Sequence, residues 1–206
     1  MRERTQALHA QAERSGVIND VLRGRASRHS YALLLRNLLP AYQRLEAGLE
    51  AHCNSPAVCG AARSELYRAQ ALISDLEALA GERWASALPL LTAGEQYARR
   101  IADAAQRDGT GLIAHAYTRY FGDLSGGQIL KRLLGRTLGL RPQELSFFEF
   151  PEIDDAEEFK QRYRRAIDDS GALINDVGAV AAEAVAAFEL NIAVSEAVQR
   201  VSGVSA

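Results

Sequence analysis

A short segment near the middle of the chain places one carboxylate among three glycines. Asp123 follows Gly122 and precedes Gly126 and Gly127 in the run YTRYFGDLSGGQILKR, residues 117–132. A glycine inside a helix costs about 1 kcal/mol relative to alanine, so a cluster of them needs a reason. Gly122 and Gly126, at positions i and i+4, would leave a bare helix face for a flat ligand, with Asp123 beside it. Close packing against another helix is the alternative explanation.

Residues 124–128 of this segment also spell LSGGQ, the signature of ABC-type ATPases. Such an ATPase needs a strand, a glycine-rich turn and a Gly-Lys-[Ser/Thr] step whose lysine reaches the β- and γ-phosphates. The only lysines in the chain are Lys131 and Lys160, and neither stands in such a step. We therefore interpret the LSGGQ run as a coincidence.

A metal carried by a flat ligand would need a protein side chain to hold it, and the chain contains four histidines. His29 begins a predicted helix and His52 ends one, so a structural role is favoured for both. His115 lies on the glycine-rich helix and could compete as an axial ligand. His9 is better placed, because Glu13 follows at i+4 and could orient the imidazole directly or through water. A surface ion pair is the alternative explanation for His9 and Glu13.

Helical periodicity accounts for nearly the whole chain and would position these side chains. Apolar residues recur at three- and four-residue steps, and each such run predicts a helix with one buried face. Asp154 and Asp155 would cap the N-terminus of the helix predicted to end at Ile167. The predicted helices cover 31–49, 66–79, Leu112 towards Leu134, Asp155 to Ile167, and Leu173 to about Val198.

Short breaks separate these helices, and none of them has the character of a linker between domains. The longest, residues 139–154, has flanking prolines and is predicted to be a loop. The fold is therefore predicted to be all-α, with a single domain over residues 1–206. The last ~8 residues are expected to form a loose tail.

The composition excludes several classes of protein. An apolar fraction of 48%, a charged fraction of 24% and a net charge of -2 are typical of a soluble protein that does not bind nucleic acid. No stretch reaches the roughly 20 apolar residues of a membrane span, so a cytoplasmic chain without signal or anchor is predicted. Cys53 and Cys59 have no second pair to complete a zinc site and are predicted to be reduced thiols.

Three segments together resemble a known family. ALHAQAE near the N-terminus, YTRYFGDLSGGQILKR in the middle and EFKQRYRR later resemble, in order and spacing, heme oxygenases of the all-helical, soluble bacterial type. The similarity extends from about residue 2 to residue 195. It implies a fold in which heme is sandwiched between a proximal N-terminal helix and a kinked, glycine-rich distal helix.

The resemblance also implies roles for individual residues. His9 matches the proximal ligand of the heme iron, and Glu13 matches the carboxylate near it. Gly122, Asp123 and Gly126 match the catalytic part of the distal helix, where glycine backbone contacts heme and the aspartate anchors a water network that supplies protons. The residues that match side chains holding the heme propionates are Tyr117, Lys160, Arg164 and, where relatives often carry lysine, Arg2.

The activity implied by this resemblance is oxidation of heme b, which is both cofactor and substrate, with O2 as co-substrate. The products would be biliverdin IXα, CO and Fe2+, since Lys160 and Arg164 match the anchors of α-selective members. An external electron donor is implied, such as a ferredoxin, a flavodoxin or a flavoprotein reductase, and the chain is expected to be a monomer. The alternatives are a heme carrier or sensor without turnover, against which the intact Asp123 argues, and a helical interaction module without heme.

Overall fold

Helices account for the regular structure of the part of the chain that this computed structural model describes, residues 1–203. No strand occurs within that range, so the all-α prediction is confirmed. Four short 3₁₀ helices supplement the α-helices. The α-helices are α1 (Arg2–Arg14), α2 (Gly16–Leu22), α3 (Arg28–Ala51), α4 (Ala69–Ala80), α5 (Trp84–Ala87), α6 (Thr92–Ala105), α7 (Thr110–Leu138), α8 (Ala156–Ser170) and α9 (Val177–Gly203).

Three long helices, α3, α7 and α9, pack against one another and form the centre of the core. α3 also contacts α4 and α6, whereas α9 contacts α1, α2 and α6. The apolar runs predicted from the sequence supply this core, because every leucine of the 31–49 run is buried on α3. The prediction of one domain over residues 1–206 stays a prediction.

The glycine-rich segment lies inside α7, which runs without interruption from Thr110 to Leu138. The kink expected in this helix stays a prediction. The loop predicted after it contains two 3₁₀ turns, Pro142–Glu144 and Ser146–Phe148. The buried carboxylate of Asp75 on α4 accepts hydrogen bonds from the backbone N–H groups of Ser146, at 2.7 Å, and Phe147, at 2.9 Å. α4 therefore holds this loop beneath the glycine-rich half of α7.

α9 departs from the prediction at both ends. Leu173 belongs to a separate 3₁₀ turn, and α9 begins at Val177. The expected loose tail is wrong for residues 199–203, because α9 continues to Gly203. Val198 is fully buried and the Ser202 hydroxyl donates to its carbonyl oxygen at 2.7 Å, which stabilises this last turn. Residues 204–206 lie outside the described part of the chain.

The composition of α9 also qualifies the expectation that no segment could span a membrane. It is long and apolar enough to cross one by length and composition, with a mean hydropathy of 1.6 over its most apolar window. Core helices of folded proteins pass the same test, so this is weak evidence for a membrane span. α9 contacts five other helices and carries Glu183, whose carboxylate binds Arg100 and His115. In this fold α9 is a core helix.

Candidate active site

A cavity of about 1100 Å³ lies between α1 on one side and α7 on the other, and residues of α2, α3, α8, α9 and the loop after α7 line the rest of it. Small-molecule sites are typically roughly 300–1,000 Å³, so this cavity suits a large ligand. The residues selected from the sequence that line it are His9, Glu13, Tyr117, Gly122, Asp123, Gly126 and Arg164.

The α1 wall presents an imidazole and a carboxylate to the cavity. His9 Nδ1 lies 3.6 Å from Glu13 Oε1, and the two side chains are 62% and 60% exposed. That distance exceeds a hydrogen bond but can be bridged by water, in agreement with the expected pairing. The imidazole ring also contacts Phe188 of α9, with the two ring centroids 6.0 Å apart. Such an accessible imidazole with a nearby carboxylate is a suitable metal ligand.

The α7 wall is bare at two of its three clustered glycines. A Cβ atom added at Gly122 or Gly126 would meet no other atom within 4 Å, so both positions face open space beside the cavity. At Gly127 the same atom would lie 3.1 Å from the ring of Phe148. Gly122 and Gly126 leave the helix surface beside the cavity free of side chains, whereas Gly127 makes room for an aromatic side chain of the neighbouring loop rather than for another helix.

Asp123 lies at the centre of a buried hydrogen-bond network and is only 5% exposed. Its Oδ2 accepts from the Tyr42 hydroxyl, and its Oδ1 accepts from Arg119 Nη2 at 3.2 Å. Arg119 Nε donates to the Tyr42 hydroxyl oxygen at 2.8 Å, and its Nη1 donates to the side-chain oxygen of Asn191. Side chains from α3, α7 and α9 thus hold the carboxylate in one orientation.

Opposing electrostatic effects act on this network. Burial raises the pKa of Asp123 above its usual range, while the charge of Arg119 and the hydrogen bond from Tyr42 act in the opposite direction. Burial disfavours the charge of Arg119, but Tyr42 and Asp123 raise the pKa of the guanidinium overall, so it stays charged. A buried carboxyl with a raised pKa can hold a proton closer to neutral pH than an exposed one, which suits it to proton transfer.

The cations predicted on α8 are not equivalent. Arg164 lines the cavity, and its guanidinium carbon lies 5.3 Å from the centroid of the Phe121 ring. Lys160 is not among the lining residues in the described chain, and its Nζ lies 2.7 Å from Glu157 Oε2. The structure therefore brings only Arg164 of this pair to the cavity. The side chain of Arg2 lies outside the described residues.

Two of the other histidines, His115 and His52, have protein partners away from the cavity. His115 is fully buried, and its Nε2 lies 2.9 Å from Glu183 Oε1. Burial would raise the pKa of Glu183, but the hydrogen bonds from His115 and Arg100 lower it to about 2. His52 Nε2 lies 2.8 Å from a backbone carbonyl oxygen at the end of α6. Among the described residues, His9 is the one histidine that lines the cavity.

Comparison with known proteins identifies the family of the chain. The family model described as Heme oxygenase matches residues 1–197. A heme oxygenase from Guillardia theta is 36% identical over 193 residues, 93% of this chain and 81% of that protein. The chain belongs to the heme oxygenase family.

Solved structures of heme oxygenases have the same fold. The enzyme from Leptospira interrogans superposes with a TM-score of 0.89 at 35% identity, covering 95% of this chain and 96% of that one. Heme oxygenase-1 from Synechocystis, solved in complex with heme, gives a TM-score of 0.90 at 33% identity and covers 99% of this chain and 94% of that one. The family predicted from three short segments is thus confirmed.

Sequence reasoning missed several residues of this heme oxygenase site. Arg119 could have been found, since it precedes Asp123 by four positions and such pairs meet on a helix face. Tyr42 gave no such signal, because it repeats with the apolar residues of α3 and was assigned to the core. Asn191 and Phe188 stand in the apolar sequence of α9, and their positions beside Arg119 and His9 depend on tertiary packing.

Proposed function

We propose that this chain binds heme b in the cavity between α1 and α7 and degrades it to biliverdin, CO and Fe2+, using O2 and external electrons. The observation that carries the proposal is the pairing of two unlike walls in one cavity. One wall offers the accessible imidazole of His9, and the other offers bare backbone at Gly122 and Gly126 beside the buried carboxyl of Asp123. Relatives named heme oxygenase over almost the whole chain support heme as the substrate.

The residues present fit a heme group. His9 would ligate the iron, with Glu13 orienting the imidazole through water, and Gly122 and Gly126 would let the distal backbone lie close to the macrocycle. When bound, heme would supply the redox chemistry, and it would also be the substrate that is oxidised. The remaining work of the protein is to position this ring and to supply protons.

Asp123 would supply those protons through water. Its orientation is set by Tyr42 and Arg119, so the carboxyl does not need to reorganise when a proton moves. The glycines leave the adjacent cavity surface without side chains, which gives room for ordered water between Asp123 and the ligand. A heme carrier would have no need for a carboxyl desolvated and held in this way, so the network favours turnover.

Tyr117 and Arg164, which line the cavity, would hold the propionate groups of heme, and Lys160 would join only after separating from Glu157. Arg2 is proposed for the same role. This anchoring would direct oxidation to the α-meso carbon and give biliverdin IXα, and chromatographic separation of the product isomers checks it. A product dominated by the β or δ isomers would overturn the α assignment.

The function is tested by giving the heme-loaded protein a reductant in air. The proposal predicts loss of the Soret band and appearance of biliverdin absorption. A Soret band that persists would identify a carrier or sensor, and no Soret band on heme addition would identify an interaction module. Asp123→Ala is the matched control, because it should keep the Soret band of the complex and lose most of the product.

An external donor must supply the electrons, and we propose a ferredoxin, a flavodoxin or a flavoprotein reductase. A cytoplasmic location and a monomer of one domain are also part of the proposal. Sedimentation of the heme-loaded protein at several concentrations checks the monomer, since a mass that rises with concentration would contradict it.

A further inference from the structure

The junction between α1 and α2 is built against the backbone of α9. Ser15 separates the two helices, and Gly16 begins α2 with a φ of +60°, a left-handed conformation that glycine adopts readily. A Cβ atom added at Gly16 would lie 2.3 Å from the carbonyl carbon of Ser195 on α9. The backbone at Gly16 is therefore in direct contact with the backbone of α9. Any residue with a Cβ atom at position 16 would clash with α9.

The side chain of Ser195 completes this junction. Its hydroxyl donates to the carbonyl oxygen of Ser15 at 3.2 Å and accepts from the backbone N–H of Ile18 at 3.2 Å. One buried hydroxyl, 3% exposed, thus ties the residue after α1 and the first turn of α2 to α9. We call Ser15, Gly16, Ile18 and Ser195 the α9 clasp.

The same face of α9 reaches both walls of the cavity. Phe188, Asn191 and Ser195 are three and four positions apart, share one helix face and all line the cavity. Phe188 contacts the ring of His9, and Asn191 accepts from Arg119 in the Asp123 network. One rigid helix therefore sets the α1 wall and the α7 wall relative to each other.

α1 depends mainly on α9 and α2 for its packing. Among the residues of α1 whose side chains the structure describes, Thr5 is the one that is buried. We propose that Ser195 is a positioning residue for His9: through the α9 clasp it fixes α1 on α9 and so places the imidazole relative to Asp123. This inference rests on the proposed role of His9 as the iron ligand.

Ser195→Ala tests the proposal, with Ser202→Ala as the matched control on the same helix. Among the described residues, the Ser202 hydroxyl bonds to carbonyl oxygens of its own helix, at 2.7 and 3.4 Å, so its loss frees no described group of α1 or α2. In Ser195→Ala we expect heme to transfer to an acceptor protein about tenfold faster, because two hydrogen bonds across the junction are lost. The iron–imidazole stretching band of the ferrous complex should shift or broaden in Ser195→Ala and stay unchanged in Ser202→Ala.

Gly16→Ala provides a second variant, with Gly139→Ala as its control. Both glycines have positive φ, +60° and +62°, but a Cβ atom at Gly139 would meet nothing within 4 Å. The two variants share backbone strain, and only Gly16→Ala pushes α1 away from α9. We expect the altered iron–imidazole band in Gly16→Ala alone.

Two results would overturn the positioning role of Ser195. One is that Ser195→Ala has the same rate of heme release and the same iron–imidazole band as Ser202→Ala. The other is faster heme release in Ser195→Ala with an unchanged iron–imidazole band. That result would show that the substitution loosens the protein without displacing His9. His9→Ala separates this failure from failure of the proposed function: if that variant keeps the iron–imidazole band, His9 is not the ligand and the function proposal itself fails at that point.

Discussion

The two walls of the cavity differ in how far the protein organises them. His9 and Glu13 on α1 are 62% and 60% exposed and lie 3.6 Å apart. Asp123 on α7 is 5% exposed and is held by Tyr42 and Arg119. The α1 wall offers accessible groups that a ligand could bind. The polar side chains beside the α7 wall are buried and already form hydrogen bonds with one another.

From this difference we expect the α1 wall to contribute mainly to ligand affinity and the α7 wall mainly to the chemical step. An exposed imidazole contributes by making a new bond to the ligand, so its removal should weaken binding. A carboxyl whose hydrogen bonds are already satisfied within the protein has little binding energy left to offer, and it should act on proton transfer. Variants of the two walls should therefore give different phenotypes.

The largest effect is expected at the α1 wall. His9→Ala should weaken heme binding by about 100-fold or more, because the metal loses its protein ligand, whereas Glu13→Gln should weaken it by only about tenfold. Titration of the heme-free protein with heme measures both, and added imidazole should restore the axial ligation of His9→Ala. An unchanged spectrum and affinity in His9→Ala would show that the α1 wall does not bind the iron.

The α7 wall should respond in the opposite sense. Asp123→Ala should keep heme affinity within about threefold of the unsubstituted chain but lower the rate of biliverdin formation about 100-fold, since proton transfer by a positioned group contributes about 10² or more. The electrons consumed should instead reduce O2 to hydrogen peroxide. A biliverdin yield equal to that of the unsubstituted protein would remove Asp123 from the proton pathway.

A smaller effect is expected from substitution of Tyr42, which donates a hydrogen bond to Asp123. Tyr42→Phe removes one hydrogen bond to the carboxylate and keeps the ring, which packs edge-on against Phe147 at 5.5 Å. Turnover should fall about tenfold, in line with one hydrogen bond to a charged group. Because this bond lowers the pKa of Asp123, its loss raises that pKa, and the limb of the pH–rate profile that follows ionisation of Asp123 should move to higher pH.

Tyr120→Phe is the control for this substitution. Tyr120 is fully buried and packs against Tyr42, and its hydroxyl has no hydrogen-bond partner among the described residues. Equal changes of rate and pH profile in the two variants would mean that loss of a buried hydroxyl in this region, rather than loss of the bond to Asp123, causes the effect.

The same contrast explains how much of the molecule could be predicted. His9 with Glu13, and Gly122 with Gly126, are separated by one helical turn, so the spacing in the sequence already places each pair on one face. The positions of α3, α4, α7, α8 and α9 could be predicted for the same reason, because periodicity is local, whereas α5 and α6 were not among the predicted helices. Tyr42 meets Asp123 across 81 positions of sequence, and that contact exists only once α3 packs on α7.

A local rule also underlies the prediction for α8. Lys160 and Arg164, at i and i+4, are predicted to act together as propionate anchors, and in the structure Glu157, three positions before Lys160, pairs with that lysine. Helical spacing alone does not decide which partner a flexible lysine takes. The neighbouring carboxylate on the same helix competes with any ligand for the lysine ammonium group.

The smallest predicted effect separates these two cations. Arg164→Ala should weaken heme binding about fivefold, since its guanidinium already lines the cavity and can pair with a propionate. Lys160→Ala should weaken heme binding by less than about twofold, because it breaks a pair with an exposed carboxylate.

Glu157→Gln would release Lys160, so heme affinity should rise slightly and the share of biliverdin IXα should not fall. Equal losses in Arg164→Ala and Lys160→Ala would mean that Lys160 leaves Glu157 when heme binds, and the two residues would then form the symmetric clamp that their spacing suggests.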